Sequence, residues 1–249
     1  MLELAVKSDL GRVRETNEDS CYASLGQLSG EQYALLAVAD GMGGHRAGDV
    51  ASQKAVDWFV QAATTALLQQ TEPLEALQQA VAHANSQLYA HSSSSPHLAG
   101  MGTTFTAALI YQGQLSVAHV GDSRLYVCRA GVCRQLTSDH SLVGDLIKNG
   151  KLSEEEAQHH PQRHLLHRAL GTHATVEIEI LQQSLQPGDL VLICSDGLST
   201  LLNRAELAEI LGQHSSLRDS ADSLVAEANR RGGHDNITVV MARWGWGEQ

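Results

Sequence analysis

The chain has 249 residues, 43% of them hydrophobic and 4% aromatic, with a formal net charge of −11. It is long enough to bury a core without disulfide or zinc staples, and its composition excludes wholesale disorder. The negative charge repels phosphate backbones and anionic lipid, so neither nucleic acid nor a membrane is expected as a partner, and an anionic substrate would need cations to reverse the field locally.

The N-terminal stretch Met1–Lys7 carries Glu3 and no basic segment followed by an apolar one, so it does not read as a signal peptide. Tyr33–Ala39 reads as a strand. It is far below the ~20 residues of a membrane helix. Two helical patterns follow, Ala47–Gln70 and Pro73–His91, and the polar tract Ser92–Ser95 reads as a surface loop. Strands are then expected over Thr103–Tyr111, Leu115–Val120, Leu125–Cys128 and Val132–Leu136, with turn signals at Gln112-Gly113 and Ala130-Gly131. Beyond a polar, His-rich stretch come the strands Val176–Leu181 and Leu190–Cys194, the second preceded by Pro187-Gly188-Asp189. Helices over Arg204–Leu211 and Leu217–Arg231, the latter stopped by Gly232-Gly233, lead to a last strand, Ile237–Trp244.

Strands at hairpin spacing make an antiparallel sheet. The helices come in adjacent pairs instead of one per strand, which argues against a doubly wound parallel sheet. The expected fold is therefore α+β, with packed antiparallel sheets covered by helices, in one domain over residues 1–249.

Asp40, Asp196 and Asp235 each lie at or beside a strand end, next to Gly, Asn or both. Gly admits a close backbone approach to an ion, and its carbonyl can be a ligand. A single Asp-Gly is more often a turn signal. Here the pair recurs after two apolar strands, and if those strands are neighbours Asp40 and Asp196 meet. Clustered carboxylates repel unless protonated or neutralised by cations. An oxygen-only ligand set points to Mg or Mn, since zinc prefers His and Cys.

Six segments together resemble the PP2C-type (PPM) serine/threonine protein phosphatases of the bacterial branch: Arg14-x-x-Asn17-Glu18-Asp19, Asp40-Gly41-Met42-Gly43-Gly44-His45, Gly100-Met101-Gly102-Thr103-Thr104, Val120-Gly121-Asp122-Ser123-Arg124, Ser195-Asp196-Gly197-Leu198 and Asp235-Asn236-Ile237-Thr238. The resemblance implies a central sandwich of two antiparallel sheets flanked by helix pairs. It also implies hydrolysis of phosphoserine and phosphothreonine in proteins, by a hydroxide that bridges two Mn2+ or Mg2+ ions and attacks phosphorus in line.

By the same resemblance, Asp40 bridges the ions, the Gly41 carbonyl binds one, and Asp196 and Asp235 complete the other. Glu18 and Asp19 hold metal-bound waters, and Arg14 holds the phosphate oxygens with its planar, always-charged fork. Asp122 resembles the ligand of a third ion, here a weak one, because Thr200 stands where the family often has an acid; alternatively Asp122 simply organises its turn. Met42 stands where eukaryotic relatives tend to carry His, so the general acid is His45 or a metal-bound water, with His45 otherwise a helix-start residue. Residues 139–172 resemble the family's flap beside the active site, with His160 and His164 meeting substrate or solvent. Pro161 breaks the helix that a zinc pair of those two would need. The partners implied are phosphorylated proteins, a bacterial Ser/Thr kinase and its targets, acted on by a cytoplasmic monomer.

Two readings stand for Cys128 and Cys133. A pair of small buried thiols suits a reducing cytoplasm; a two-residue turn at Ala130-Gly131 would instead put them opposite each other, within disulfide range.

Overall fold

In the computed structural model, which describes residues 1–43, 47–93, 96–98, 100–158 and 160–245, the chain forms two antiparallel sheets with helices outside both. In chain order, the first half comprises β1 (Leu2–Asp9), β2 (Asp19–Leu28), β3 (Glu31–Met42), α1 (Ala47–Leu68), α2 (Pro73–Ser92), β4 (Gly102–Thr103), β5 (Phe105–Tyr111) and β6 (Gln114–Val120). The second comprises β7 (Arg124–Arg129), β8 (Val132–Gln135), α3 (Leu142–Lys148), α4 (Glu154–Gln158), β9 (Glu179–Ser184), β10 (Leu190–Cys194), α5 (Asp196–Ser199), α6 (Arg204–Gln213), α7 (Leu217–Arg230) and β11 (Ile237–Trp244). One sheet runs β1-β11-β10-β7-β8 and the other β2-β3-β5-β6-β9, with β4 on the end of β3.

The uninterrupted apolar runs of the central strands follow from burial on both faces. Along β3, Ala34, Leu36 and Val38 point between the sheets, whereas Leu35, Ala37 and Ala39 point toward α1 and α2. In β10, Val191 and Ile193 join the same inter-sheet layer, while Leu190, Leu192 and Cys194 pack under α6 and α7. Side-chain direction alternates strictly along a strand, so each strand feeds two cores. Each buried Leu or Val contributes about 2 kcal/mol by leaving water. The helices fit their layers for local reasons. Glu72 caps α2 by accepting from the Leu74 amide, with Pro73 at its start. Asn203 and Glu206 form a capping box on α6.

Some expectations need correction. The strands β1 and β2 are additions to the expected set; along β1 the apolar run Leu4-Ala5-Val6 interrupts any strict alternation with Glu3 and Lys7. The strand expected over Val176–Leu181 is β9, Glu179–Ser184, because Val176 and Ile178 pack on the helix-side core before the ladder with β6 begins. The helices α3, α4 and α5 are too short for a periodic signal. The strands β3 and β10 are not sheet neighbours; they lie in opposite sheets, and their ends meet because the sheets stack. The thiol reading of Cys128 and Cys133 is also overturned. They face each other across the β7–β8 hairpin and are joined in a disulfide, with Cα atoms 4.0 Å apart.

Among the described residues, no helix is long and apolar enough to cross a membrane.

Candidate metal centre

The ends of several strands from both sheets gather at one rim of the sandwich. Asp19 opens β2 directly opposite Asp40 near the end of β3. Beyond the end of β10, the Ser195 amide donates to the Thr238 carbonyl of β11 (3.1 Å), which places Asp196 beside the Asp235–Asn236 turn. Asp122 precedes Arg124, the residue of β7 paired with Cys194 of β10. Residues 10–18 cross this rim from β1 to β2.

Backbone contacts fix each acid. The Asp40 amide donates to Thr104 Oγ1 (2.9 Å), and the Asp40 carbonyl accepts from the Thr103 hydroxyl and the Thr104 amide. The Gly41 amide donates to the Glu18 carbonyl (3.0 Å). A Cβ on Gly41 would lie 2.0 Å from the Gly48 carbonyl oxygen, so only glycine admits this approach of the first turn of α1. Asn236 organises the crossing loop: its Oδ1 accepts the Glu18 amide (2.8 Å) and its Nδ2 donates to the carbonyls of Leu10 and Thr16. Arg14, carried on that loop, donates from Nη2 to Asp235 Oδ2 (2.8 Å) and lies 3.9 Å from Glu18 Oε2.

The electrostatics are those of a site built to receive positive charge. Burial, then the charges of Asp19, Asp196, Asp122 and Asp235, push Asp40 well above the usual carboxylate range. Asp19 is pushed up to about 7, chiefly by burial, although the Ser195 hydroxyl donates to its Oδ2 (2.8 Å). Asp196 rises to about 6, again by burial and then by the neighbouring charge of Asp235. Asp122 is raised by burial and Asp196. Glu18 is raised too, mainly by burial. Asp19 Oδ1 and Asp196 Oδ1 are buried without a hydrogen-bond partner among the described residues. Such an oxygen carries an uncompensated desolvation cost, which a cation or its water removes. The donor set, all oxygen, fits Mg2+ or Mn2+.

Ligand atoms do converge to within 4.8 Å elsewhere, at His119, His140 and Glu179. That cluster is already spent on hydrogen bonds. His119 Nδ1 meets the Thr106 hydroxyl (2.8 Å) and its Nε2 the Ser138 carbonyl (3.2 Å). His140 Nδ1 accepts the Gly121 amide, and Glu179 accepts the Ser138 amide. Burial lowers both histidines, His119 to about 3, and keeps them neutral.

The remaining candidates fall outside the rim's contacts or outside the described residues. His45 is in the latter class. His160 follows α4 and accepts the Gln162 amide on its own Nδ1 (3.2 Å), a local turn contact. His160 and His164 share no helix, since α4 ends at Gln158. Thr200 donates its hydroxyl to the Asp196 carbonyl (2.7 Å) and so closes α5. A cavity of about 130 Å3 is lined by Asp122 and Asp196 together with Val143, Ala157, His164 and Leu202. Ser195, Asn236 and Thr104 belong to the recurring motifs, yet their orienting roles were not read from sequence. Their spacing within those motifs was the available signal.

A family model described as protein phosphatase 2C matches residues 11–231. The serine/threonine phosphatase stp of Listeria innocua is 43% identical over 237 residues, covering 94% of this chain and 93% of its own. The serine/threonine protein phosphatase PstP of Mycobacterium tuberculosis is 43% identical over 246 residues, 97% of this chain and 45% of that protein. The crystal structure of the M. tuberculosis phosphatase PstP/Ppp superposes with a TM-score of 0.85 at 42% identity, covering 97% of this chain and 98% of that one. A structure of the catalytic domain of PstP in complex with two manganese ions gives a TM-score of 0.83 at 40% identity, covering 97% of each chain.

Proposed function

The chain belongs to the protein phosphatase 2C family and is a metal-dependent serine/threonine phosphatase using two Mn2+ or Mg2+ ions, and we propose that the acidic rim is its catalytic site. The observation that carries this assignment is the pair of orphaned, buried oxygens on Asp19 and Asp196 amid raised carboxylates, with a guanidinium alongside. Asp40, the Gly41 carbonyl, Asp196 and Asp235 would hold the two ions. Glu18 and Asp19 would hold their waters, and Asp122 a weaker third ion. The ions, when bound, supply a hydroxide nucleophile near neutral pH and neutralise phosphoryl charge.

The chain's own residues do the rest. Arg14 uses one Nη for Asp235 and keeps other N–H donors for the phosphate oxygens, so the group that orients a metal ligand also orients substrate. Asn236 holds the Arg14 loop to the Asp235 turn, which keeps that geometry when substrate is absent. Ser195 fixes Asp19 from behind. His160 makes only a local turn contact, and we propose water, or His45, which lies outside the described residues, as the donor of the proton to the leaving alkoxide.

We further read residues 1–249 as one phosphatase domain with a flap over 139–172, acting in the cytoplasm as a monomer. Its substrates are phosphorylated proteins, with a bacterial Ser/Thr kinase and its targets as the proposed partners. The test is hydrolysis of a phosphothreonine peptide with Mn2+ titrated in, comparing the wild type with Asp196→Asn. Activity that survives both chelation and the substitution would refute the assignment.

A further inference from the structure

Asp122 lies on the turn between β6 and β7, and one histidine grips that turn from behind. The His140 amide donates to the Gly121 carbonyl (2.7 Å), and His140 Nδ1 accepts the Gly121 amide (3.1 Å). Both backbone polar atoms of the residue preceding Asp122 therefore end on His140. The turn also requires glycine at this position, so its backbone depends on these two hydrogen bonds. Gly121 adopts φ +113°, and a Cβ there would lie 2.6 Å from Thr104 Cβ, whose residue also anchors Asp40. An amide can only donate, so Nδ1 is the acceptor and Nε2 carries the proton. The 3.4 Å approach of Arg168 Nη1 to that Nε2 is then a contact between two donors, and the ring is held by packing on His119, 4.8 Å away.

His140 also closes the flap. Its carbonyl accepts the His167 amide (2.8 Å), and Ser141 bridges Leu166. The Leu142 amide donates to the Leu165 carbonyl (3.0 Å). Both ends of the 141–166 excursion thus meet on the residue that grips Gly121.

We propose that His140 is a positioning residue that sets Asp122 for the weak third cation. This rests on the reading of Asp122 as a cation ligand. Loss of the Nδ1 acceptor frees the Gly121 amide and lets the turn drift, whereas the tight pair of ions, held by Asp40, Asp196 and Asp235, is untouched.

The test uses the full chain and direct Mn2+ binding, read from the paramagnetic resonance of free Mn2+, with hydrogen exchange at residues 120–124 as a second readout. The wild type binds a weak ion beyond the tight ones. His140→Ala weakens that step about tenfold, the scale of one lost hydrogen bond, and speeds exchange at Gly121. His140→Asn, whose Oδ1 can replace Nδ1 as acceptor, restores both. Asp122→Asn removes the weak step altogether. If His140→Ala binds like wild type while Asp122→Asn loses the step, the Asp122 reading stands and the positioning role fails. If Asn rescues no better than Ala, His140 is only a packing residue. If Asp122→Asn changes nothing, or the wild type has no weak step, the third-ion reading fails and takes the inference with it. Should His140→Ala not fold, His140→Gln, which moves the amide beyond the Nδ1 position, replaces it with the same expected loss.

Discussion

Asn in place of Asp19 should stabilise the metal-free protein, and the gain should grow with pH. Asp19 has a folded pKa of about 7 against 3.8 when unperturbed, so between those values the folded state binds a proton that the unfolded state has lost. Stability from this group is therefore full at low pH and drains away as pH rises toward 7. A shift of that size is worth a few kcal/mol, most of which is lost between pH 5 and 7.5. His119, lowered to about 3 by burial, acts in the opposite sense over part of this range. The informative quantity is thus the difference between Asp19→Asn and wild type at each pH, in which the histidine contribution cancels. In chelator, the melting-temperature advantage of Asp19→Asn should widen by roughly 5–10 °C from pH 5 to 7.5 for a chain of this length. Saturating Mn2+ should reverse the ranking at pH 7.5, because the cation replaces the proton on the wild-type carboxylate and has less to bind in the variant. Calorimetry or dye-monitored melting reads both. A difference that is flat with pH, or a Mn2+ shift equal in the two proteins, would refute the view that this buried carboxylate is held ready for a cation's water.

Arg14→Ala should raise KM for a phosphothreonine peptide about ten- to hundredfold, with a smaller change in kcat, and Arg14→Lys should recover part of it; steady-state kinetics separates the two parameters. Gly41→Ala places a Cβ 2.0 Å from the Gly48 carbonyl, so the first turn of α1 must move; direct titration should show loss of tight Mn2+. Cys128→Ser opens a short loop and should cost about 2 kcal/mol in denaturant unfolding without reductant, and nothing relative to wild type in dithiothreitol.

Much of the architecture was legible along the chain because burial on both faces leaves unbroken apolar runs. Leu190–Cys194 and Ile237–Trp244 were read with their observed limits. The helices covering them announced themselves by period and caps. The strands β1 and β2 lie at the sheet edges and are only partly buried, so their patterns are diluted with polar residues and escaped notice. The acids of the rim were visible for a different reason: a carboxylate beside glycine at a strand end is a local feature, present at Asp40, Asp122 and Asp196, and these lie among six segments in a known order. By itself the sequence determined the layer pattern, the oxygen-rich ligand chemistry and the need for cations in an acidic chain. Only the tertiary structure decided that Asp40 and Asp196 meet across stacked sheets, that Cys128 and Cys133 are joined, and that Asn236 and His140 organise loops distant in sequence. The Asn236 and His140 contacts depend on which backbone donors find which side-chain acceptors once the sheets have packed, and no local pattern encodes that pairing.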